Sequence, residues 1–202
     1  MDDLLLLALC APSGAGKTTL SKYLLEAVEG LRFSVSHTTR PRRGDEVDGV
    51  DYHFVDRAAF DELVERGRFA EWAEVHGNLY GTSLEELDRA RQDGKTGLIF
   101  DIDHQGARQL RSKLPSAVSV FVLPPSLEEL RTRLVARGTD APVVVERRLG
   151  AAHEEIAHYA FFDYLLINDD LDAAKETLLA IVRAERVRRW RLAGVAEALL
   201  RT

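Results

Sequence analysis

The sequence predicts an α/β fold in which helices cover both faces of a mainly parallel β-sheet. Three observations support this prediction. Apolar runs of strand length alternate with helix-like segments along most of the chain. The first apolar run leads into a glycine-rich segment, which a helix-like segment follows. Residues 36–96 are more polar and contain only short strand-like segments, so this stretch is predicted to be an inserted subdomain.

The predicted elements follow one another in a regular order. Buried strands are predicted where apolar runs of strand length occur, at residues 4–11, 97–102, 118–123 and 164–167. Shorter strands are predicted at residues 33–36, 52–55, 69–75 and 79–80. Helices are predicted at residues 17–29, 57–66, 83–93, 126–137 and 143–159, and a further helix ends at residue 113. A single long helix is predicted from residue 171 to about residue 200.

The composition is that of one globular domain. Of the 202 residues, 46% are hydrophobic and 30% are charged, which is typical of a folded, soluble chain rather than a disordered one. Lys and Arg number 27 against 33 Asp and Glu, giving a net charge of −6. This acidic balance argues against a protein that grips nucleic acid with its whole surface.

Cysteine usage and the N-terminal residues indicate the compartment. Cys10 is the only cysteine, which excludes an internal disulfide and a cysteine-rich zinc site and fits a reducing environment. The first apolar run follows Asp2 and Asp3, where a signal peptide needs basic residues, and it is too short to cross a bilayer. We expect a cytoplasmic protein that binds neither membrane nor nucleic acid. The sequence leaves a monomer and a homo-oligomer equally open.

The strongest local motif is a phosphate-binding loop. Residues 11–18 read Ala-Pro-Ser-Gly-Ala-Gly-Lys-Thr and stand between a predicted strand and a predicted helix. Backbone N–H groups of such a loop turn toward phosphate, and the helix dipole adds positive charge. We expect Lys17 to reach the β- and γ-phosphates of a bound nucleotide and Thr18 to coordinate Mg²⁺. Ala11 departs from the full pattern, which has glycine there. The predicted nucleotide-binding residues of the loop are Ser13, Gly14, Ala15, Gly16, Lys17, Thr18 and Thr19.

An arginine-rich stretch indicates a second phosphate site. Residues 32–44 contain four arginines and no acid, inside an acidic protein. The guanidinium group binds phosphate through two parallel hydrogen bonds, so such a cluster suits a phosphorylated acceptor. A solvated loop with ordinary charge scatter is the alternative for this stretch taken alone.

Several blocks of the chain resemble guanylate kinases, in the order and near the spacing of that family. They are residues 36–43, 49–55, 71–72, 77–82, 101–106, 124–126, 137–139 and 168–170. The resemblance extends from about residue 4 to residue 190. It implies a P-loop kinase with a three-layer α/β/α core, a mainly parallel five-stranded sheet, a small mixed α+β subdomain that binds GMP, and a helical lid. The implied core comprises residues 1–35, 97–130 and 149–202, with the GMP-binding subdomain at 36–96 and the lid at 131–148.

The same resemblance implies roles for individual residues. The residues implied to hold the GMP phosphate are Arg40, Arg43, Tyr52 and Tyr80. Those implied to read the guanine are Ser36, Glu71, Thr82 and Asp103. Asp101 is implied to be the acid at the end of the central strand, next to Mg²⁺ through water. The implied catalytic residues are Lys17, Asp101 and the lid arginines Arg133, Arg137 and Arg148. The loop residues 13–19 and Asn168 are implied to bind ATP.

The chemistry of guanine independently supports the prediction that the acceptor is GMP. A carboxylate such as that of Glu71 can accept hydrogen bonds from both N1–H and the 2-amino group, whereas adenine offers a lone pair at N1. The predicted reaction is the Mg²⁺-dependent transfer of the γ-phosphoryl group from ATP to GMP, with dGMP as a further acceptor. Two alternatives stay open. One is a P-loop kinase for another nucleoside monophosphate or a sugar phosphate, and the other is a protein-binding module that has lost catalysis.

Overall fold

Strands and helices alternate along the chain. The computed structural model describes residues 4–75, 77–136, 138 and 141–201. In chain order its strands are β1 (Leu5–Cys10), β2 (Leu31–Phe33), β3 (His37–Thr38), β4 (His53–Phe54), β5 (Phe69–Val75), β6 (Asn78–Ser83), β7 (Gly97–Asp101), β8 (Val118–Leu123) and β9 (Tyr164–Ile167). Its helices are α1 (Lys17–Ala27), α2 (Arg57–Glu65), α3 (Glu85–Gln92), α4 (His104–Lys113), α5 (Leu127–Ala136), α6 (Pro142–Ile156), α7 (Leu171–Arg186) and α8 (Arg189–Leu199), with a 3₁₀ turn at Tyr159–Phe161.

The larger sheet contains five parallel strands in the order β2-β7-β1-β8-β9. All six residues of the central strand β1 are buried. Because neighbouring side chains along a strand point to opposite faces, β1 contributes to two apolar cores. Leu5, Leu7 and Leu9 pack with α1 and α7, whereas Leu6 and Ala8 pack with α3 and α4. The predicted three-layer α/β/α fold with a parallel five-stranded sheet is confirmed.

A second, smaller sheet of four strands lies within residues 37–83, in the order β4-β3-β6-β5. It is mixed, because β3 runs parallel to β4 and antiparallel to β6. Helix α2 covers it, starting where the Asp56 carboxylate accepts a hydrogen bond of 2.8 Å from the Ala59 N–H. Phe60, Phe69 and Leu79 form a buried apolar cluster between this helix and the sheet. The stretch predicted as an inserted subdomain therefore contains a sheet and an apolar core of its own.

The carboxyl ends of β1 and β7 meet at one edge of the larger sheet, which is where ligands bind in open α/β folds. The glycine-rich loop follows β1, and Asp101 ends β7. Asp101 was predicted to end the central strand, which is wrong, because β1 is central and β7 is its neighbour. The side-by-side position brings Asp101 to the loop all the same.

The C-terminal segment differs from its prediction, since the single long helix is two helices, α7 and α8. Arg188 between them has φ −54° and ψ 135°, which is not helical. Its guanidinium donates to the Glu185 carboxylate at 2.8 Å, and Arg191 beyond the turn donates to the Leu4 carbonyl at 3.0 Å. The turn therefore brings α8 back to the start of β1, an interaction that helix propensity alone does not reveal.

Two short strands also differ from their predictions. The strand predicted at residues 33–36 is β2, which ends at Phe33, and the two-residue strand β3 was not predicted. Strands this short carry too few side chains to show a clear alternation. No helix within the described residues combines the length and apolar character needed to cross a membrane.

Candidate active site

The glycine-rich loop takes its shape from two glycines in the left-handed region. Gly14 has φ 95° and Gly16 has φ 100°, conformations that L-residues with a Cβ rarely adopt. The Ala15 N–H donates to the Pro12 carbonyl at 3.0 Å, which closes the turn. Helix α1 starts at Lys17, so its N-terminus points at the space above the loop.

Asn168 supports this loop from behind. Its side-chain amide donates to the Ala15 carbonyl at 2.7 Å, and the residue is buried. A Cβ at Gly16 would lie 2.3 Å from the Asn168 amide nitrogen, so only glycine fits there. Ala15 and Asn168, both predicted to bind ATP, therefore face each other behind the loop and do not line the cavity in front of it.

The loop opens onto a cavity of about 290 Å³. The residues that line it are Pro12, Ser13, Gly14, Gly16, Lys17, Thr18, Thr19 and Asp101. Six of these were predicted to bind ATP, and Asp101 was predicted to act beside Mg²⁺. The structure thus brings the predicted loop residues and the acid from β7 to one space.

Lys17 is held by an ion pair with Asp101, and its ammonium group also approaches the Ile102 carbonyl at 3.4 Å. Burial is the largest single influence and lowers the pKa of Lys17, but the charge and hydrogen bond of Asp101, together with other acidic groups nearby, outweigh it, so the pKa is raised. Lys17 therefore stays protonated at the boundary of the cavity, next to a carboxylate that phosphate oxygens can replace.

A second cavity of about 250 Å³ adjoins the first, and the two share Lys17 and Asp101 in their walls. Its other lining residues are Ser36, Tyr52, Glu71, Ala73, Val75, Tyr80, Ile102 and Asp103. Thr82 lies just behind, where its hydroxyl is 3.1 Å from that of Ser36. All four residues predicted to read guanine therefore meet around this cavity.

Glu71 reaches the cavity because of an irregularity in β5. The pairing between β5 and β6 shifts register between Phe69 and Glu71, and such a bulge changes the direction of the side chain. Glu71 is only 4% exposed. Burial raises the pKa of the Glu71 carboxyl to about 7, although a hydrogen bond with Thr82 opposes the shift. Asp103 lies near it and caps α4 by accepting from the Gly106 N–H at 2.8 Å.

Arg40 is a buried cation that lies beside the second cavity. Its guanidinium holds the Glu46 carboxylate in a two-point contact of 2.7 and 3.0 Å. It lies 5.3 Å from the centre of the Tyr52 ring, and the Tyr52 and Tyr80 rings are 6.0 Å apart. The hydrogen bonds with Glu46 raise the pKa of Arg40. The structure therefore brings together three of the four predicted phosphate-holding residues.

Arg43, the fourth, stands apart from them. Its side chain is exposed, and only its main-chain N–H joins the cluster, donating to Glu46 at 2.8 Å. Glu46 thus connects both arginines through different groups. No role was predicted for Glu46 from the sequence.

The predicted lid arginines lie in different surroundings. Arg148 on α6 donates to the Ser13 hydroxyl at 3.3 Å and so reaches the phosphate-binding loop. Arg133 on α5 forms an ion pair with Glu129, one turn earlier, at 2.8 Å. Arg137 lies outside the described residues.

Glu155 is a further acid near the site, and it was not predicted from the sequence. It lies on α6 seven residues after Arg148, which places both side chains on one face of the helix. Burial raises the pKa of Glu155, and the positive charge of Lys17 opposes that shift, so the field of the loop lysine reaches it. The helical periodicity shared with Arg148 is the signal that could have found it.

Cys10 lies directly beneath the site, as the last residue of β1. It is 1% exposed, and its Sγ approaches the Asp103 carbonyl at 3.5 Å. Burial raises the pKa of this thiol, so it is neutral and shielded from solvent.

Comparison with known proteins assigns the family. A family model described as guanylate kinase matches residues 5–185. The chain belongs to the guanylate kinase family. A guanylate kinase of Syntrophotalea carbinolica is 49% identical over 195 residues, which cover 96% of this chain and 92% of that protein. A guanylate kinase of Alkalilimnicola ehrlichii is 53% identical over 178 residues, covering 88% of this chain and 87% of that protein.

A solved structure agrees with this assignment. The crystal structure of guanylate kinase from Anaplasma phagocytophilum matches with a TM-score of 0.76 and 34% sequence identity. The match covers 98% of this chain and 95% of that one. The resemblance identified from the sequence blocks is therefore confirmed, and with it the parallel α/β fold.

Proposed function

We propose that the chain transfers the γ-phosphoryl group of ATP directly to GMP, giving ADP and GDP, and that dGMP is a further acceptor. An ATP:GMP phosphotransferase is the enzyme class of the family to which the chain belongs. One observation carries the assignment of the site. The two cavities share Lys17 and Asp101, so a donor phosphate and an acceptor phosphate would meet at these residues.

The first cavity is the proposed donor site. Main-chain N–H groups of the loop cradle the phosphates of ATP, and Lys17 leaves Asp101 to bind the β- and γ-phosphates. Asn168 acts by holding the loop from behind rather than by facing the cavity. The proposed donor-site residues are Ser13, Gly14, Ala15, Gly16, Lys17, Thr18, Thr19 and Asn168.

Mg²⁺ is proposed to bind with ATP. Thr18 and Asp101 line the same cavity, and a hydroxyl together with a carboxylate fits the oxygen ligands that Mg²⁺ prefers. Thr18 would bind the ion directly and Asp101 through water. The ion supplies charge neutralisation on the phosphate oxygens when it is bound.

The second cavity is the proposed acceptor site. Tyr52 and Tyr80 line it next to Arg40, so two phenol groups and a guanidinium would hold the phosphate of GMP. Glu46 positions Arg40 beside the two tyrosines through its two-point contact with the guanidinium. Arg43 would have to turn inward from its exposed position to join them.

Guanine is proposed to lie against the deep wall of this cavity. The Glu71 carboxylate accepts from N1–H and the 2-amino group, and the hydroxyls of Ser36 and Thr82 donate toward O6. Asp103 completes the set of acceptors. With adenine the buried carboxylate would face a lone pair, and an unpaired buried polar group is costly enough to reject it.

Catalysis is proposed to rest on position and charge. The acceptor is an anionic phosphate oxygen, so the transfer needs no strong general base. Lys17 and the arginines Arg133, Arg137 and Arg148 neutralise charge on the moving phosphoryl group. We propose residues 131–148 as the lid, residues 36–96 as the GMP-binding subdomain, and the rest as the core. The buried thiol of Cys10 supports a reducing, cytoplasmic location.

A coupled assay with ATP and Mg²⁺ across nucleoside monophosphates tests the reaction. We expect GMP and dGMP to be phosphorylated and AMP, UMP and dTMP to be poor acceptors. Turnover of any of these three at the rate of GMP would contradict the guanine assignment.

Lys17→Ala tests the division into two sites. This variant should lose turnover while calorimetry shows nearly unchanged GMP affinity, because Arg40, Tyr52 and Tyr80, and not Lys17, are proposed to hold the phosphate of GMP. Lys95→Ala is the matched control, since Lys95 is exposed just before β7, at the opposite edge of the sheet. An equal loss of GMP affinity in Lys17→Ala would contradict the division.

A further inference from the structure

The first turn of α4 lies unusually close to Glu71. Gly106 is buried in this turn, and a Cβ built on it would lie 2.5 Å from Glu71 Oε2 and 3.2 Å from Glu71 Cδ. Non-bonded carbon and oxygen atoms do not approach to 2.5 Å, so any residue larger than glycine would have to displace the carboxylate. Glu71 is therefore packed against the bare backbone of the helix.

The helix itself gives no reason for glycine at this position. Gly106 has ordinary helical geometry, where glycine is less stable than alanine. Gly150 in α6 and Gly194 in α8 are also helical, and no atom lies within 4 Å of a Cβ built on either of them. Among these three helical glycines, close contact with another residue distinguishes Gly106.

The helix cannot easily move away from Glu71, because the same face of α4 is fixed to β5. The Gln109 amide accepts from the Trp72 N–H at 3.1 Å and donates to the Trp72 carbonyl at 2.6 Å. One turn further, Lys113 donates to the Phe69 carbonyl at 2.6 Å. These bonds hold the strand on both sides of Glu71. A methyl group at position 106 would therefore push the carboxylate rather than the helix.

We propose that Gly106 is a specificity-determining positioning residue for guanine. Its missing side chain lets α4 hold the Glu71 carboxylate at the one place where it accepts from both N1–H and the 2-amino group. The inference rests on the proposed role of Glu71 in reading guanine. Gly106 touches the acid and not the base, so it acts through Glu71.

Gly106→Ala tests the proposal with two acceptors that differ by one group. Inosine monophosphate keeps N1–H and O6 but lacks the 2-amino group. We expect Gly106→Ala to raise KM for GMP and to reduce the GMP/IMP ratio of kcat/KM by about tenfold, with a smaller change in kcat. Gly194→Ala makes the same change in open space and should keep the wild-type ratio. An unchanged ratio in folded Gly106→Ala would overturn the proposal.

A double-mutant cycle separates the contact from general damage to the fold. Glu71→Asp shortens the acid by one methylene, which makes room for the new methyl group. Gly106→Ala should therefore reduce the GMP/IMP ratio of kcat/KM by a smaller factor in the Glu71→Asp background than in the wild type. If Gly106→Ala alone does not fold, the double variant should regain folding. Additive effects, or a double variant that folds no better, would overturn the proposal.

The experiment also distinguishes failure of this inference from failure of the proposed function. Glu71→Gln should reduce the wild-type preference for GMP over IMP. If Glu71→Gln leaves that preference unchanged, the guanine-reading role of Glu71 is wrong. If Glu71→Gln reduces it and Gly106→Ala does not, the positioning role of Gly106 alone is wrong.

Discussion

The affinity for guanosine should change between pH 6 and pH 8, because Glu71 titrates in this range. Burial raises the pKa of this carboxyl to about 7. The ionised form can accept both guanine donors, whereas the protonated form offers its own hydrogen to them. Guanosine should therefore bind the carboxylate form and displace its proton. Guanosine is preferable to GMP here, since it has no phosphate that titrates in the same range.

The magnitude follows from the pKa. At pH 6 about a tenth of the Glu71 side chains are ionised, and at pH 8 about nine tenths. Guanosine affinity should therefore rise about tenfold between these values, equivalent to about 1.4 kcal/mol. Near pH 6 binding should release close to one proton per complex, and at pH 8 close to none.

Titration calorimetry at pH 6, 7 and 8 measures the guanosine affinity. Repeating each pH in two buffers of different ionisation enthalpy also gives the number of protons released on binding. Glu71→Gln is the control, because its amide does not titrate, and its guanosine affinity should be flat over the same range. A flat affinity in the wild type would refute the reasoning. So would a slope of equal size in Glu71→Gln, since it would have to arise from another group.

Three further outcomes are expected. Because the pKa of Glu71 is raised, its contribution to stability is complete below about pH 4.5 and is lost as the pH rises through 7. In thermal melts, Glu71→Gln should therefore stabilise the protein without nucleotide by up to about 3 kcal/mol at pH 8, but should not stabilise it at pH 4. Arg148→Ala should lower kcat by about 10²–10³-fold in the coupled assay, whereas Arg147→Ala, its exposed neighbour, should not. Glu46→Gln weakens the hold on Arg40 and should raise KM for GMP about fivefold while guanosine affinity in calorimetry stays unchanged. Equal losses of GMP and guanosine affinity would contradict this role of Glu46.

The parts of the site that were predictable from the sequence are those whose chemistry is local. The phosphate-binding loop is eight consecutive residues between a strand and a helix, so its shape and charge follow from neighbours in the chain. The two glycines that the loop needs in the left-handed region stand in the motif itself. The strand order, by contrast, is a tertiary property, and the assignment of Asp101 to the central strand was wrong for that reason.

The remaining contacts depend on residues that only the fold brings together. Glu71 and Gly106 are 35 positions apart, and no periodicity connects them. The break before α8 has no glycine or proline to mark it and depends on the contact of Arg191 with the Leu4 carbonyl. The exposed position of Arg43 was equally invisible, because a motif gives the residue type and not the direction of its side chain.

The single thiol of Cys10 gives this enzyme a reporter of its own. A thiol reagent can modify the shielded Sγ only when the end of β1 and the neighbouring Asp103 segment separate, so the labelling rate measures how often that region opens. No second cysteine competes for the reagent anywhere in the 202 residues. Comparing the labelling rates with and without nucleotide would then measure how much each substrate raises the free energy of this local opening, without any engineered probe.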